Sequence, residues 1–268
     1  MDYIDKINTL LNPKNKFQDF LVVDLFAGSG GLSLGFEAIG FPTVGFEKDK
    51  DSILTYNFNL NGKSTQTLID ENIELPSASI LIGGPPCQPF SVGGKQKGLK
   101  DTRNGFPAFL TAIKKLDPQI FLIENVRGML YKNKEYLNEL LDTFKELGYA
   151  TKYKLINAAN YGVPQKRQRI FIIGYKSAIN EFEFPLKLSN QVTSGEALED
   201  LVSIIPEQAK FLTQSMDEYI ARYEKASRCR TPRDLHLDKV SRTVTCRNLA
   251  GATGDMMRVK LVDTTNYT

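Results

Sequence analysis

"FLVVDLFAGSGGLSLGFEAIG", Phe20 to Gly40, decides the fold. "FLVVDLF" is short, apolar and β-branched, which predicts a strand buried on both faces. It runs into "AGSGG" and then into "GLSLGFEAIG", where Leu32, Phe36 and Ile39 share one helical face and Gly40 closes the helix. No lysine follows the glycines, so this is not a phosphate loop of the Walker type. As a dinucleotide fingerprint it is imperfect: Gly28-x-Gly30 is present, but Ser33 stands where a third Gly or Ala belongs. "PTVGFEKDK" reads as the next strand and ends on Glu47, where an acid can hydrogen-bond ribose hydroxyls. A plain structural turn would explain the glycines alone. The turn and the acid together imply a nucleoside-bearing cofactor, S-adenosylmethionine or NAD.

Further along, "DKDSILTYNFNL" predicts a helix capped by Asp49 or Asp51. "SASILIGG" (77–84) and "QIFLIEN" (119–125) read as buried strands. Leu137, Leu140, Leu141, Phe144 and Leu147 form a helical stripe that stops at Gly148. "ATKYKLINAANYG" and "QRIFIIGY" read as closing strands. Strand and helix alternate from about residue 20 to 148, which predicts a doubly wound, largely parallel α/β sheet. Ligands of such sheets gather at the carboxyl ends of the strands, where "DLFAGSGG", "GFEKD", "GGPPCQPFS" and "IENVRG" all fall. From about Pro185 the chain turns polar, basic and threonine-rich, which predicts a main domain over 1–185 and a second region over 186–268.

The bulk properties exclude several classes. Hydrophobic residues make up 41% and charged residues 24%, ordinary values for a globular chain with a real core. No apolar run is long enough for a membrane helix, and the acidic start "MDYID" does not read as a signal peptide. Cys87, Cys229 and Cys246 are odd in number and widely spaced, which suits reduced thiols in a cytoplasm. With no CxxC pair and His236 the single histidine, no zinc or other metal site is expected. The formal charge of +3 permits a nucleic-acid partner without arguing for one.

The chemistry-bearing residues begin with Cys87. A buried structural cysteine needs no Pro-Pro before it and no Gln-Pro after it, whereas a nucleophile benefits from a rigid turn that presents its sulfur at a strand end. Lys95, Lys97 and Arg103 follow closely, either as a plain solvated basic loop or as the positive charge a thiolate needs. Glu124 ends an apolar strand, where a carboxylate is costly unless paired; it caps the next element or serves to donate or share a proton. In "VPQKRQRIFIIG", Gln165, Arg167 and Arg169 alternate onto one strand face, as solvent-facing arginines or as a clamp for an anion. In the tail, Arg228, Arg230, Arg233, Arg242 and Arg247 interleave with threonines, as a solvated strand pair or as contacts to phosphates and base edges.

Taken in order, "DLFAGSGGLSLGFE", "GFEKDKDSILTYNFN", "GGPPCQPFS", "DTRN", "IENVRG" and "NYGVPQKRQRIFIIG" resemble the motifs of the cytosine-5 DNA methyltransferases over roughly residues 20–176. The resemblance implies a mixed, Rossmann-like sheet of the S-adenosylmethionine-dependent methyltransferase type. Residues 1–185 then form the catalytic and cofactor-binding domain, and 186–268 part of a target-recognition region. It implies that Cys87 adds to C6 of a flipped-out cytosine, that Glu124 hydrogen-bonds N3 and the exocyclic amine, and that Arg167 and Arg169 orient base and glutamate. Phe26, Ala27, Gly28, Gly30, Gly31, Glu47, Lys48, Asp70 and Pro86 are the implied cofactor contacts. At Lys48 the family carries an aromatic residue. Gln88, Ser91, Lys95, Arg103, Arg230, Arg242 and Arg247 are the implied DNA contacts.

The family pattern continues with motifs like "LTxREAARLQ" and "GNxV", and the sequence stops at "TTNYT" before either. A split enzyme with a second subunit, a truncated fragment and an inactive remnant are the three readings. The intact catalytic motifs favour a catalytic subunit of a two-chain bacterial restriction–modification enzyme, working in the cytoplasm on duplex DNA. A tRNA cytosine-5 methyltransferase and a non-catalytic DNA-binding subunit are the alternatives.

Overall fold

The computed structural model describes residues 2–86, 105–131, 133–179, 181–202, 204–205, 207, 209, 211–226, 234–245 and 257–259. These residues fall into two compact units, one of residues 5–156 and 168–185, the other of 1–4, 157–167 and 186–268.

The larger unit is a seven-stranded mixed sheet. Its strands are β1 (Val22–Leu25), β2 (Thr43–Glu47), β3 (Lys63–Gln66), β4 (Ile80–Gly83), β5 (Ile120–Val126), β6 (Tyr149–Asn157) and β7 (Gln168–Lys176), in the order β3-β2-β1-β4-β5-β7-β6. β3, β2, β1, β4 and β5 run parallel, and β7 pairs antiparallel with β5, setting Glu124 opposite Phe171 and Val126 opposite Arg169. The chain winds outward from β1 to β3 and then crosses back to β4, so the switch point lies between β1 and β4. β3 gave no signal in the sequence because "KSTQ" is an edge strand whose one buried side chain is the small, polar Ser64.

Burial of β1 on both faces explains its unbroken apolar run. On one face Val22, Ile80 and Ile82 pack against Leu32 and Phe36 of helix α2 (Gly31–Glu37). On the other, Val23, Leu25 and Leu81 meet α4 (Phe106–Leu116) and α5 (Lys134–Glu146) through Phe109, Ile113, Leu137, Leu140 and Phe144. Phe121 lies 4.6 Å from Phe144 and 5.1 Å from Tyr149, centroid to centroid. Each such fully buried ring contributes about 1.5–3 kcal/mol from apolar burial. The stripe read from the sequence is thus the buried face of α5. Ile39, by contrast, lies beyond the last turn of α2 and is 54% exposed. Helix α3 (Lys50–Asn59) is capped by Asp49, whose carboxylate accepts the Ser52 N–H at 2.9 Å.

In the smaller unit, Ser241 donates its N–H to Pro164 and accepts that of Lys166, and Thr243 donates its hydroxyl to the Lys166 carbonyl at 2.6 Å. The tail segment that carries Arg242 is thereby laid parallel along 164–166. Among the described residues this unit carries the α-helices α6 (Ser194–Ala197), closed by a Thr193–Glu196 capping box, and α7 (Gln214–Ala226). Arg258 is buried and paired with Asp234 and Glu224. Helix α1 (Tyr3–Leu10) opens the chain. Among the described residues no helix is long and apolar enough to cross a membrane, and no cluster of potential metal ligands occurs.

Candidate cofactor and active site

The glycine turn leaves β1 through a strained residue. Phe26 has φ 58°, and left-handed backbone is costly for a side chain this large. Gly28 follows at φ 53°, and its N–H donates to Glu47 Oε2 at 3.0 Å. Glu47 Oε1 accepts the N–H groups of Lys48 and Asp49 at 2.8 and 3.0 Å. Three amides therefore fix this carboxylate at the end of β2, and it retains lone pairs for further donors. A Cβ placed on Gly28 or Gly31 would meet nothing within 4 Å, so there is open space over both. A strained turn, a clear surface above it and an oriented acceptor fit an adenosine-bearing ligand.

Gly30 is different. Its φ is 86°, and a Cβ there would lie 2.7 Å from Tyr56 Cδ2 on α3. The Tyr56 ring is the floor of the turn. Gly30→Ala is expected to cost about 1–3 kcal/mol for forcing a side chain into this conformation, read as a lower Tm together with weaker cofactor binding. Ala27 is nearly buried and donates its N–H to Phe46 at 3.2 Å. Lys48 is exposed and its carbonyl accepts from Gln66. Asp70 lies exposed beyond β3, with Oδ1 accepting the Asn72 N–H at 2.8 Å.

The second cluster forms at the carboxyl ends of β4 and β5. Glu124 Oε1 pairs with Arg169 Nε at 2.8 Å, across the antiparallel β5–β7 ladder, with both side chains about one-fifth exposed. Arg169 Nη1 also donates to the Gln168 carbonyl at 2.8 Å. The pair is thus held on two adjacent strands, a more rigid mounting than a loop supplies. A Cβ on Gly84 would sit 3.5 Å from Glu124 Oε2, placing the backbone just before the Pro-Pro pair beside the carboxylate. Asn125 Nδ2 donates to the Pro85 carbonyl at 2.9 Å, and the Gly105 N–H donates to the Pro86 carbonyl at 3.0 Å. Pro86 stands beside Phe26, since a Cβ on Gly105 would touch both.

The structure thus gathers Phe26, Gly28, Glu47, Pro86, Glu124 and Arg169 at one edge of the larger sheet. Arg167 and Gln165 do not share a strand with Arg169: β7 begins at Gln168, and both precede it in the smaller unit. There the Arg167 carbonyl accepts the Ala158 N–H at 2.9 Å, and Gln165 bridges to Ser241. The expected single strand face fails because β7 begins only at Gln168 and the Arg167 N–H donates back to the Gln165 carbonyl at 2.9 Å, a tight turn in place of extended strand. Arg242 lies in the same unit. Cys87, Gln88, Ser91, Lys95, Arg103, Arg230 and Arg247 lie outside the described residues. Sequence reasoning passed over Asn125 and Gly105, which fix the two prolines ahead of Cys87. Asn125 was visible beside Glu124 in "IENV", but nothing in the sequence marks it as bonded to Pro85.

A Rossmann-like sheet with an antiparallel β7, a glycine turn at β1 and a Glu–Arg pair at the end of β5 defines a chain of the S-adenosylmethionine-dependent methyltransferase fold. The profile of the C-5 cytosine-specific DNA methylases matches residues 20–254, and the chain belongs to that family. It is 51% identical over 244 residues to the Type II methyltransferase M.AplI of Arthrospira platensis, covering 91% of this chain and 70% of that one. To the Type II methyltransferase M.FnuDI of Fusobacterium nucleatum it is 41% identical over 177 residues, covering 63% of this chain and 52% of that one. A crystal structure described as a DNA modification methyltransferase encoded within an E. coli prophage superposes with a TM-score of 0.59 at 29% identity, covering 72% of this chain and 60% of that one. The chain therefore spans about half to two-thirds of the length of most of these relatives.

Proposed function

We propose that this chain transfers a methyl group from S-adenosylmethionine to C5 of a cytosine in a specific duplex DNA sequence, as the catalytic part of a type II restriction–modification methyltransferase in a bacterial cytoplasm. The observation that carries the reading is the Glu124–Arg169 pair at 2.8 Å, beside the Gly84–Pro86 segment that leads directly into Cys87. When bound, S-adenosylmethionine supplies an electrophilic methyl group. Glu47 would hold its ribose hydroxyls, and the Phe26–Gly31 turn with Lys48, Asp70 and Pro86 would hold the rest of it.

C5 of cytosine is a weak nucleophile, and inside a duplex it is out of reach, so the base leaves the stack. The Cys87 thiolate would bond to C6, and the ring electrons would move to C5. C5 would take the methyl as the methyl–sulfur bond breaks and its electron pair stays on the departing neutral thioether. Glu124 holds N3 and the exocyclic amine through this step, and Arg167 and Arg169 orient the base and the glutamate. Loss of the C5 proton then expels the thiolate and restores the aromatic ring. Gln88, Ser91, Lys95, Arg103, Arg230, Arg242 and Arg247 supply the contacts to DNA.

The test is incubation of the purified chain with labelled S-adenosylmethionine and duplex DNA, followed by a duplex carrying 5-fluorocytosine, which blocks release of the thiolate. Label on C5 and a trapped adduct that maps to Cys87 are expected with a second subunit present, and little turnover from this chain alone. An adduct at another residue, or methylation of tRNA and not of duplex DNA, overturns the proposal. The second subunit expected from the sequence is tested alongside: robust turnover by the chain alone removes it.

A further inference from the structure

Behind the glycine turn, five buried or half-buried side chains are joined end to end. Ser33 Oγ is 2.7 Å from Asp24 Oδ2, and Tyr56 Oη is 3.0 Å from Ser33 Oγ. Thr43 Oγ1 is 2.9 Å from Tyr56 Oη and 2.7 Å from Glu37 Oε1. These are four oxygen–oxygen contacts, each requiring a proton.

With both carboxylates ionised, Ser33 donates to Asp24, Tyr56 to Ser33 and Thr43 to Glu37. That uses every hydroxyl proton in the chain and leaves the 2.9 Å Tyr56–Thr43 contact with none. One further proton closes the account, and it must sit on a carboxyl. Glu37 is the poorer candidate. Its Oε1 also accepts the Gly62 N–H at 2.8 Å, and its Oε2 accepts the Asn61 N–H at 2.8 Å and the Asn61 amide at 3.3 Å, the partners of a carboxylate. Asp24 is only 1% exposed, and its Oδ1 has no hydrogen-bond partner among the described residues. An ionised oxygen left bare in a core is far costlier than a neutral carbonyl oxygen.

We propose that below neutral pH Asp24 is a protonated, neutral acid in the folded protein, and that its proton orders the chain Asp24–Ser33–Tyr56–Thr43–Glu37 in one direction. Asp24 donates to Ser33, Ser33 to Tyr56, Tyr56 to Thr43 and Thr43 to Glu37, so that all four contacts are satisfied. Asp24 is a positioning residue. The Tyr56 ring lies beneath Gly30 and against Gly45, so the chain fixes the floor of the turn through α2, α3 and β2.

The surroundings agree. Asp24 faces Gly45 on β2 and Ile82 on β4, with Ser33 and Glu37 on α2 and Tyr56 on α3. Burial drives its pKa up to about 7, the Ser33 bonds oppose this, and the negative charge of Glu47 on β2 adds to it. Because the folded pKa lies above the unfolded one, this group's contribution to stability is complete below about pH 4 and is lost as pH rises to about 7.

The experiment is an NMR titration of the Asp24 carboxyl carbon in the folded chain, paired with folding equilibria of wild type and Asp24→Asn against pH. A midpoint near neutrality is expected. Between the two limits the wild-type folding constant should fall by about tenfold per pH unit relative to Asp24→Asn, whose amide donates to Ser33 at every pH. Thr43→Val removes the contact that needs the extra proton and leaves Glu37 its three N–H donors, so it should raise the acid constant of Asp24 by about tenfold. An unchanged midpoint in Thr43→Val reduces the effect to burial alone and overturns the ordered chain; a wild-type midpoint at or below that of an ordinary aspartate overturns the whole proposal. Weakening of S-adenosylmethionine binding above the midpoint is a consequence that rests on the proposed function; the titration does not.

Discussion

Glu124→Ala is expected to lower kcat for methyl transfer by about 10²–10⁴-fold, the usual worth of a positioned proton-transfer group, with little change in Tm. The side chain sits at the carboxyl end of β5, about one-fifth exposed, so its removal opens no core cavity. On the proposed mechanism, what disappears is a hydrogen-bonding group aligned with the pyrimidine ring during attack at C6. Arg169 aligns it at 2.8 Å from across the β5–β7 ladder. Arg169→Ala should therefore also lower kcat, but by less, because the glutamate remains and loses orientation alone. The double variant discriminates. If the arginine acts through the glutamate, the double variant falls no further than Glu124→Ala, since the second change has nothing left to misplace. Additive losses show that Arg169 also reaches the substrate. Single-turnover rates at saturating DNA and S-adenosylmethionine measure this free of binding. A Glu124→Ala variant within about tenfold of wild type removes Glu124 from the chemistry.

The parts of the site that were legible in the sequence are those where chemistry and local structure share a few consecutive residues. The run from Phe20 to Gly40 encodes strand, turn and helix together, and "IENV" shows a carboxylate at the end of an apolar strand. Edge strand β3 was invisible because polar edge residues carry no burial signal. The face shared by Gln165, Arg167 and Arg169 failed for a related reason: period-two alternation describes a strand, and it cannot say where the strand begins. Long-range polar closure was the least legible. Ser33 could be seen only as a departure from a glycine fingerprint, yet in the fold its hydroxyl is the first link from Asp24 to Tyr56, Thr43 and Glu37. Those partners come from β1, α2, β2 and α3, and no spacing rule joins them.

Gly105→Val is expected to reduce kcat by about 10²-fold, the loss that follows from displacing a reacting group by about 1 Å, although residue 105 bears no functional group. A Cβ at Gly105 would lie 2.5 Å from Pro86 Cδ and 2.8 Å from Phe26 Cζ, well inside contact distance on two sides. Neither neighbour can give way easily. The Pro86 ring is closed onto its own backbone, and Phe26 leaves a strained φ of 58° against the core. The Pro86 carbonyl is also tied to the Gly105 N–H at 3.0 Å, and that of Pro85 to Asn125 at 2.9 Å, so a push on Gly105 is transmitted to the backbone bonded to Cys87. Overpacking of this kind costs about 1–3 kcal/mol of stability, which a thermal melt reads separately. Asn125→Ala provides a second route to the same displacement: it leaves a buried carbonyl without its donor, at about 1–3 kcal/mol, and introduces no bulk. If the Pro-Pro segment sets the position of the nucleophile, both variants slow the formation of the 5-fluorocytosine adduct while S-adenosylmethionine still binds. Adduct formation at the wild-type rate in a folded Gly105→Val variant shows that Cys87 is positioned by other contacts.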